Sequence, residues 1–119
     1  MAEANLILKQ TLNITCMRND TFRLVMVWRD STDTLIDLTT YTFTAQIKRQ
    51  RSDSTSVLSF SDSDFTKDAS GNLSMSKTNS QMDLIAGSYY YDLQAVKISN
   101  GEVSTWLGGF FTIEEDVTR

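Results

Sequence analysis

The residues that enzymes use most often for acid–base and nucleophilic chemistry are scarce in this chain. Its 119 residues include no histidine and a single cysteine, Cys16. Without an imidazole, neither a Ser-His-Asp nor a Cys-His arrangement can take a proton from a nucleophile. Transition-metal sites lose their commonest ligand for the same reason. The pair Gly108-Gly109 is followed by neither the lysine nor the helix of a phosphate-binding loop. We therefore expect no cofactor and no enzymatic activity.

Carboxylates are the remaining source of chemistry. The chain has 15 Asp and Glu residues, which give many accidental pairs, so a hydrolase working through two carboxylates is only a formal alternative. Asp62, Asp64 and Asp68 resemble the alternating ligands of a calcium loop. Their spacing lacks the glycine at the sixth position and the closing glutamate, which favours a solvated loop over a metal site.

Charge and hydropathy argue against two further classes of function. A net charge of −4 and a pI near 4.6 do not suit nucleic-acid binding. The one basic run, KRQR at 48–51, is interpreted as a solvated strand end and turn rather than a phosphate site. The apolar runs are too short to cross a membrane, and the N-terminus lacks the features of a secretory signal. Cys16 excludes an intramolecular disulfide and is predicted to be a small buried side chain.

Residues 87–113 are the most informative stretch. Two runs rich in aromatic and β-branched residues flank Asn100-Gly101, which favours the type I′ turn of a tight hairpin. Alternation predicts that four side chains of the first strand face the core: Tyr89, Tyr91, Leu93 and Ala95. In the second strand, the side chains predicted to face the core are Val103, Thr105, Leu107, Phe111 and Ile113. The opposite face then carries Tyr90, Trp106 and Phe110; the alternatives are that the sandwich buries both faces of the hairpin, or that a bulge at Gly108-Gly109 turns Phe110 inward. Gly108-Gly109 predicts a bulge or a close backbone approach.

The rest of the chain supplies more strands. Residues 11–17 and 22–28 alternate apolar and polar side chains and are predicted to pair antiparallel, with Trp28 in the core. Residues 41–48 show the clearest alternation, and shorter strands are predicted at 57–60 and 72–76. Met82 and Ile85, followed by Gly87, predict one helical turn within residues 79–86.

Seven or eight short strands with one short helical turn are typical of an antiparallel β-sandwich or a flattened barrel. We expect a single domain over residues 1–119. Residues 1–10 contain the apolar segment Leu6, Ile7 and Leu8, which either begins the first strand or forms an extended arm. Residues 114–119 are a polar tail.

Several segments resemble, in order, a small β-domain family of structural proteins from tailed bacteriophages, and are similar to the N-terminal domain of phage baseplate upper proteins. The segments are DTFRL at 20–24, WRD at 28–30, IDLTTYTFTAQIK at 36–48, AGSYYYDLQ at 86–94, GFFTI at 109–113 and DVTR at 116–119. The resemblance implies an Ig-like sandwich without catalytic residues. It also implies a virion component, assembled in the host cytoplasm, that docks on a tail, baseplate or capsid scaffold.

The partners expected from this resemblance are other phage structural proteins, and self-association into a homo-oligomer is left open. No fibre shaft or carbohydrate-binding head follows Arg119, which favours an adaptor or decoration subunit. The residues expected to bind a partner are Tyr90, Trp106, Phe110, Leu6, Ile7 and Leu8. The alternative is a carbohydrate-binding module in which the three aromatic residues stack on sugar rings beside Asp92 or Gln94.

Overall fold

A computed structural model describes residues 4–7 and 10–115 of the chain. Ten strands form within these residues: β1 (Ala4–Ile7), β2 (Gln10–Thr11), β3 (Ile14–Met17), β4 (Phe22–Arg29), β5 (Tyr41–Lys48), β6 (Leu58–Phe60), β7 (Phe65–Lys67), β8 (Asn72–Lys77), β9 (Gly87–Lys97) and β10 (Val103–Glu114). Short 3-10 turns occur at Leu38–Thr40, Asp62–Asp64 and Ser80–Met82. In this part of the chain, no helix has the length and apolar character needed to span a membrane.

The strands form two sheets that pack face to face. The four-stranded sheet has the order β1-β4-β8-β7, and the six-stranded sheet has the order β2-β10-β9-β5-β6, with β3 also paired to β10. The pairings of β1 with β4, and of β2 and β3 with β10, are parallel, and the others are antiparallel. The order β4-β8-β7 against β10-β9-β5-β6 is that of an immunoglobulin-like sandwich. The predicted all-β, antiparallel Ig-like fold is confirmed, with ten strands in the described residues where seven or eight were expected.

The core between the sheets follows from alternation along the strands. The strand β9 buries Tyr89, Tyr91, Leu93 and Ala95, as predicted, and β4 buries Phe22, Leu24, Met26 and Trp28. The ring of Trp28, from the four-stranded sheet, lies 5.2 Å from that of Trp106, from the six-stranded sheet. Each large side chain removed from water stabilises the fold by about 1.5–3 kcal/mol, so this layer holds the sheets together.

Two tyrosine hydroxyls fasten neighbouring segments to the core. The hydroxyl of Tyr89, near the start of β9, donates to the carbonyl oxygen of Ile85, and that of Tyr91 donates to the carbonyl oxygen of Leu12. The first contact is the tyrosine corner of an Ig-like sandwich. Burial raises the pKa of the Tyr91 hydroxyl, which therefore remains a donor at neutral pH.

The pairing predicted for residues 11–17 is wrong. The segment divides into β2 and β3, which lie parallel to β10, whereas β4 pairs with β8 and β1. The chain turns after Met17, where the Asp20 N–H donates to the Met17 carbonyl and Asn19 has a φ of 65°, and then enters the other sheet. Alternation reports which face of a strand is buried and carries no information about its neighbour, so the partner was misassigned.

The connection between β9 and β10 is not the predicted type I′ turn. The Lys97 N–H donates to the Glu102 carbonyl, and the Gly101 N–H donates to the Lys97 carbonyl, which leaves four residues in the loop. Gly101 has a φ of 70°, but Asn100 has no positive φ. The Asn100 side chain instead accepts the Glu102 N–H at 2.9 Å. An Asx side chain that bonds local backbone in this way stabilises a turn of a different type.

The predicted helical turn forms as the 3-10 turn Ser80–Met82. Met82 is buried, but Ile85 is 60% exposed, so only one of the two residues expected to face the core does so. The short strand β7 was not predicted from the sequence.

Candidate functional site

The most distinctive surface is the solvent-facing side of the six-stranded sheet, here called the outer face. It is formed by the outward side chains of β5, β9 and β10, and an open groove of about 910 Å³ crosses it. The side chains that matter for the groove's chemistry are Gln46, Lys48, Arg51, Tyr90, Asp92 and Gln94. All but Arg51 lie on β5 or β9, so the rigid sheet fixes their spacing.

An aromatic pair borders this groove. Tyr90 and Phe110 are directly opposite in the β9–β10 register, and their ring centroids are 5.3 Å apart with a tilt of 38°. Phe110 is 46% exposed, and Tyr90 is half-buried. The Arg51 guanidinium carbon lies 4.8 Å from the centroid of the Tyr90 ring, a cation–π distance. The structure thus places Tyr90 and Phe110 on the predicted face.

The predicted position of Trp106 on this face is wrong. A bulge between Thr105 and Leu107 interrupts the alternation of β10, so Trp106 and Leu107 both point into the core. Trp106 is 2% exposed, and its indole N–H donates to the Ser104 hydroxyl at 3.1 Å. Because it is buried, Trp106 contributes no exposed ring to a docking surface.

The same bulge moves residues at the start of β10 outward. Val103 and Thr105 were expected to face the core, but both are exposed. From Leu107 onward the predicted parity is correct, and Leu107, Phe111 and Ile113 are buried. A bulge changes the phase of one strand relative to its neighbour, so a strict count by twos fails beyond it.

Gly108-Gly109 does not form the bulge but does mark a close approach. Gly109 has a φ of 151°, and a Cβ there would lie 2.7 Å from the Leu12 carbonyl oxygen and 2.8 Å from Asn13 Oδ1. The Asn13 side chain accepts the Phe110 N–H at 3.1 Å. The segment between β2 and β3 thereby holds the backbone that carries the exposed Phe110 ring.

The polar side chains of the groove retain unused hydrogen-bonding capacity. Asp92 and Gln94 are half-buried on β9, and Gln46 lies opposite Asp92 in the β5–β9 register. Within residues 11–115, these three side chains form no hydrogen bond or ion pair with protein groups. Lys48 lies opposite Tyr90 and has no carboxylate partner in the same part of the chain. A polar ligand would find these groups without breaking an existing contact.

Two of the three N-terminal residues expected to bind a partner, Leu6 and Ile7, lie in the other sheet. Leu6 and Ile7 belong to β1, at the edge of the four-stranded sheet, where they pair in register with Trp28 and Arg29. Leu8 lies outside the described residues, as does the end of the polar tail at 116–119. The structure therefore does not bring Leu6 and Ile7 together with Tyr90 and Phe110.

The three aspartates that resemble calcium ligands form ion pairs and hydrogen bonds within the protein. Asp64 accepts the Lys77 ammonium at 3.0 Å, and Asp62 lies 3.4 Å from the Lys67 ammonium. Asp68 accepts backbone N–H groups and the Asn72 side chain. Among the described residues, no group of three or more His, Cys, Asp or Glu side chains could hold a metal ion.

Cys16 is half-buried against the core rather than fully buried. Burial, with a smaller contribution from the charge of Asp20, raises the pKa of its thiol to about 11. The thiol is therefore protonated at neutral pH and is a poor nucleophile.

The chain matches no family model and no curated protein. Among solved structures, it is similar to the NK cell receptor Nkp44, which is described as a triggering partner in natural cytotoxicity. The two share 15% identity with a TM-score of 0.42, and the similar region covers 88% of this chain and 97% of the receptor chain. The assignment of the Ig-like fold rests on the strand order of the two sheets.

Proposed function

We propose that this protein is a non-enzymatic structural component of a tailed-phage virion, a small adaptor or decoration subunit. It docks through the outer face on tail, baseplate or capsid proteins. The resemblance of its segments to phage structural β-domains supports the class of protein. The observation that carries the docking role is the Tyr90–Phe110 ring pair on the β9–β10 hairpin, in which Phe110 is exposed and Tyr90 is half-buried.

The arrangement of this pair suits a docking contact. Aromatic residues are enriched at the centres of protein interfaces, where a few of them supply most of the binding energy. Here the Phe110 backbone is held by Asn13, and the Tyr90 ring is covered by Arg51, so little freedom is lost on binding. Many copies on one particle would add avidity to a modest interface.

The edge strand β1 offers a second contact. Of the described residues, four pair it with β4, and we propose that Leu6 and Ile7 instead add a strand to a neighbouring subunit. This strand exchange is part of the same proposal and would occur between neighbouring subunits of the assembled virion.

The docking role is tested with Phe110→Ser and Tyr90→Ser. We expect each variant to melt within a few degrees of the wild type, because neither ring lies in the core, and to be depleted at least about tenfold from assembled particles. Ile85→Ser is the matched control, since Ile85 is apolar and exposed but lies off the outer face. Normal incorporation of both aromatic variants would remove the outer face from the proposal. Trp106 is unsuitable for this test because its replacement would disrupt the core.

A second candidate function is carbohydrate binding by the same face. The half-buried, unpartnered Asp92 and Gln94 beside an aromatic pair favour it. A glycan-array screen separates the two candidates, because a subunit that only docks on protein should bind no glycan.

A further inference from the structure

We propose that the groove of the outer face is a site for an acidic saccharide with both neutral and carboxylate-bearing rings. Sugar hydroxyls contact Asp92 and Gln94, and the sugar carboxylate lies at Lys48 and Arg51. This inference rests on the second candidate function, carbohydrate binding, and names the chemical class of its ligand.

The first argument concerns which groups are available in the groove. The floor is the strand β9, which pairs with β5 on one side and β10 on the other, so its backbone N–H and C=O groups are engaged in the two ladders. An extended peptide binds a sheet through main-chain bonds at an edge, and β9 is not an edge strand. Hydrogen bonding along the floor of the groove must therefore come from side chains, which is how sugar hydroxyls can be recognised.

The second argument concerns the side chains themselves. Asp92 and Gln46 are opposite each other in register, so their Cβ atoms are about 5 Å apart, and Gln94 follows on the same face of β9. A carboxylate accepts hydrogen bonds only, whereas an amide both accepts and donates. Together they match adjacent sugar hydroxyls, each of which can donate and accept. Phe110 adds an exposed ring on which the apolar face of a sugar can stack.

The third argument concerns charge. Lys48 and Arg51 lie at the Tyr90 end of the groove and form no ion pair within residues 11–115, so an incoming carboxylate replaces no existing one. Asp92 and Glu102 also line the groove, and Asp92 is the next residue after Tyr90 on the same face of β9. A ligand with a charge on every ring would be repelled there, and alternating neutral and acidic rings avoid this.

The test compares two tetrasaccharides of alternating glucuronate and N-acetylglucosamine, one with free carboxylates and one with the carboxylates methyl-esterified. Binding to the full chain is followed by NMR titration. We expect the acid to bind about 3- to 10-fold more tightly than the ester, the range for a partly exposed charge-assisted contact. Arg51→Gln should reduce this difference, because only Lys48 then remains beside the carboxylate, and Asp92→Asn should weaken both ligands.

Arg23→Gln is the matched control, because Arg23 is exposed on the four-stranded sheet. It should leave both affinities unchanged, and a loss equal to that of Arg51→Gln would overturn the site in favour of diffuse electrostatics. Equal affinity for acid and ester would overturn the carboxylate contact while carbohydrate binding stands. Absence of binding to either ligand would overturn this site and carbohydrate binding by it. Particle incorporation of Phe110→Ser still tests the virion role independently.

Discussion

At the scale of single residues, Gly109 shows where the fold requires the absence of a side chain. Its φ of 151° is rarely adopted by residues with a Cβ, and the Leu12 carbonyl oxygen would lie 2.7 Å from that atom. Gly87 has a similar φ of 153°, but no heavy atom lies within 4 Å of its Cβ position. A side chain at either position would strain the backbone, but only one at Gly109 would also overlap with neighbouring atoms. Comparing the two positions therefore distinguishes the cost of strain from the cost of overlap.

We expect Gly109→Ala to lower the free energy of unfolding by about 3 kcal/mol and Gly87→Ala by about 1 kcal/mol, because both introduce strain but only the first introduces an overlap. Chemical denaturation followed by circular dichroism measures both values. Equal losses would show that the segment around Leu12 moves aside easily and does not constrain β10.

The fates of Trp106 and Phe110 also differ at this scale. Both residues have the same parity in β10, and both are aromatic, so the sequence alone treats them alike. Trp106 enters the core and Phe110 is exposed. The reason is the bulge between Thr105 and Leu107, which turns Trp106 inward, whereas Phe110 follows the regular alternation beyond the bulge. The bulge allows the Trp106 ring to pack against Trp28 in the core, where it is 2% exposed.

At the scale of elements, the turn Asp62–Asp64 connects the two sheets and protects an edge. β6 covers only the end of β5, from Ala45 to Ile47. Beyond β6, the Phe43 N–H donates to Asp62 Oδ1, and the Tyr41 carbonyl accepts the Lys67 ammonium. Side chains thus occupy backbone groups that would otherwise be free to pair with another chain.

The same turn predicts sensitivity to acid. Burial raises the pKa of the Asp64 carboxyl, but hydrogen bonds from Lys77 and Ser61 outweigh it, and the net pKa is lowered. Ionised Asp64 therefore contributes stability that is fully present above its unfolded pKa of about 3.9 and is lost as the pH falls through the folded pKa.

We expect Asp64→Asn to lower the free energy of unfolding by about 2 kcal/mol at pH 7, because it leaves the Lys77 ammonium, in a residue that is 8% exposed, without its carboxylate. The difference from wild type should shrink toward pH 2. Denaturant titrations between pH 2 and pH 7 provide the measurement. Asp92→Asn removes a carboxylate without an ion pair and should change stability by less than about 0.5 kcal/mol. A loss for Asp64→Asn that is independent of pH would contradict the ion pair as its cause.

At the scale of the whole molecule, the two sheets share one core. Trp28 and Trp106 come from different sheets, are both buried, and lie in ring contact. With a single cysteine, the chain cannot form an intramolecular disulfide between the sheets, so packing in the shared core holds them together. Such a domain should unfold in one step.

We expect Trp28→Phe and Trp106→Phe to unfold cooperatively. Each variant retains one tryptophan, in one sheet, and its fluorescence should change at the same denaturant concentration as the far-UV circular dichroism. Each should also be less stable than the wild type by about 1–3 kcal/mol. A fluorescence change that precedes the loss of β-structure would mean that one sheet detaches before the other unfolds.

Much of this molecule follows from the sequence. Alternation in residues 22–28, 41–48 and 87–97 determined which side chains enter the core, because burying an apolar face outweighs other local preferences. The alternation of residues 87–97 also placed Tyr90, Asp92 and Gln94 on the outer face. The all-β class and the absence of imidazole chemistry required no coordinates.

Only the tertiary structure decided the strand partners and the phase of β10. The hydrogen bonds that pair strands are made by a backbone common to all residues, so they leave no mark in the alternation of side chains. For the same reason, Gln46 and Lys48 could not be placed beside Asp92 and Tyr90 until the β5–β9 register was known, nor Arg51 over the Tyr90 ring. The register between β5 and β9 brings the side chains of the groove together, and the sequence alone does not specify that register.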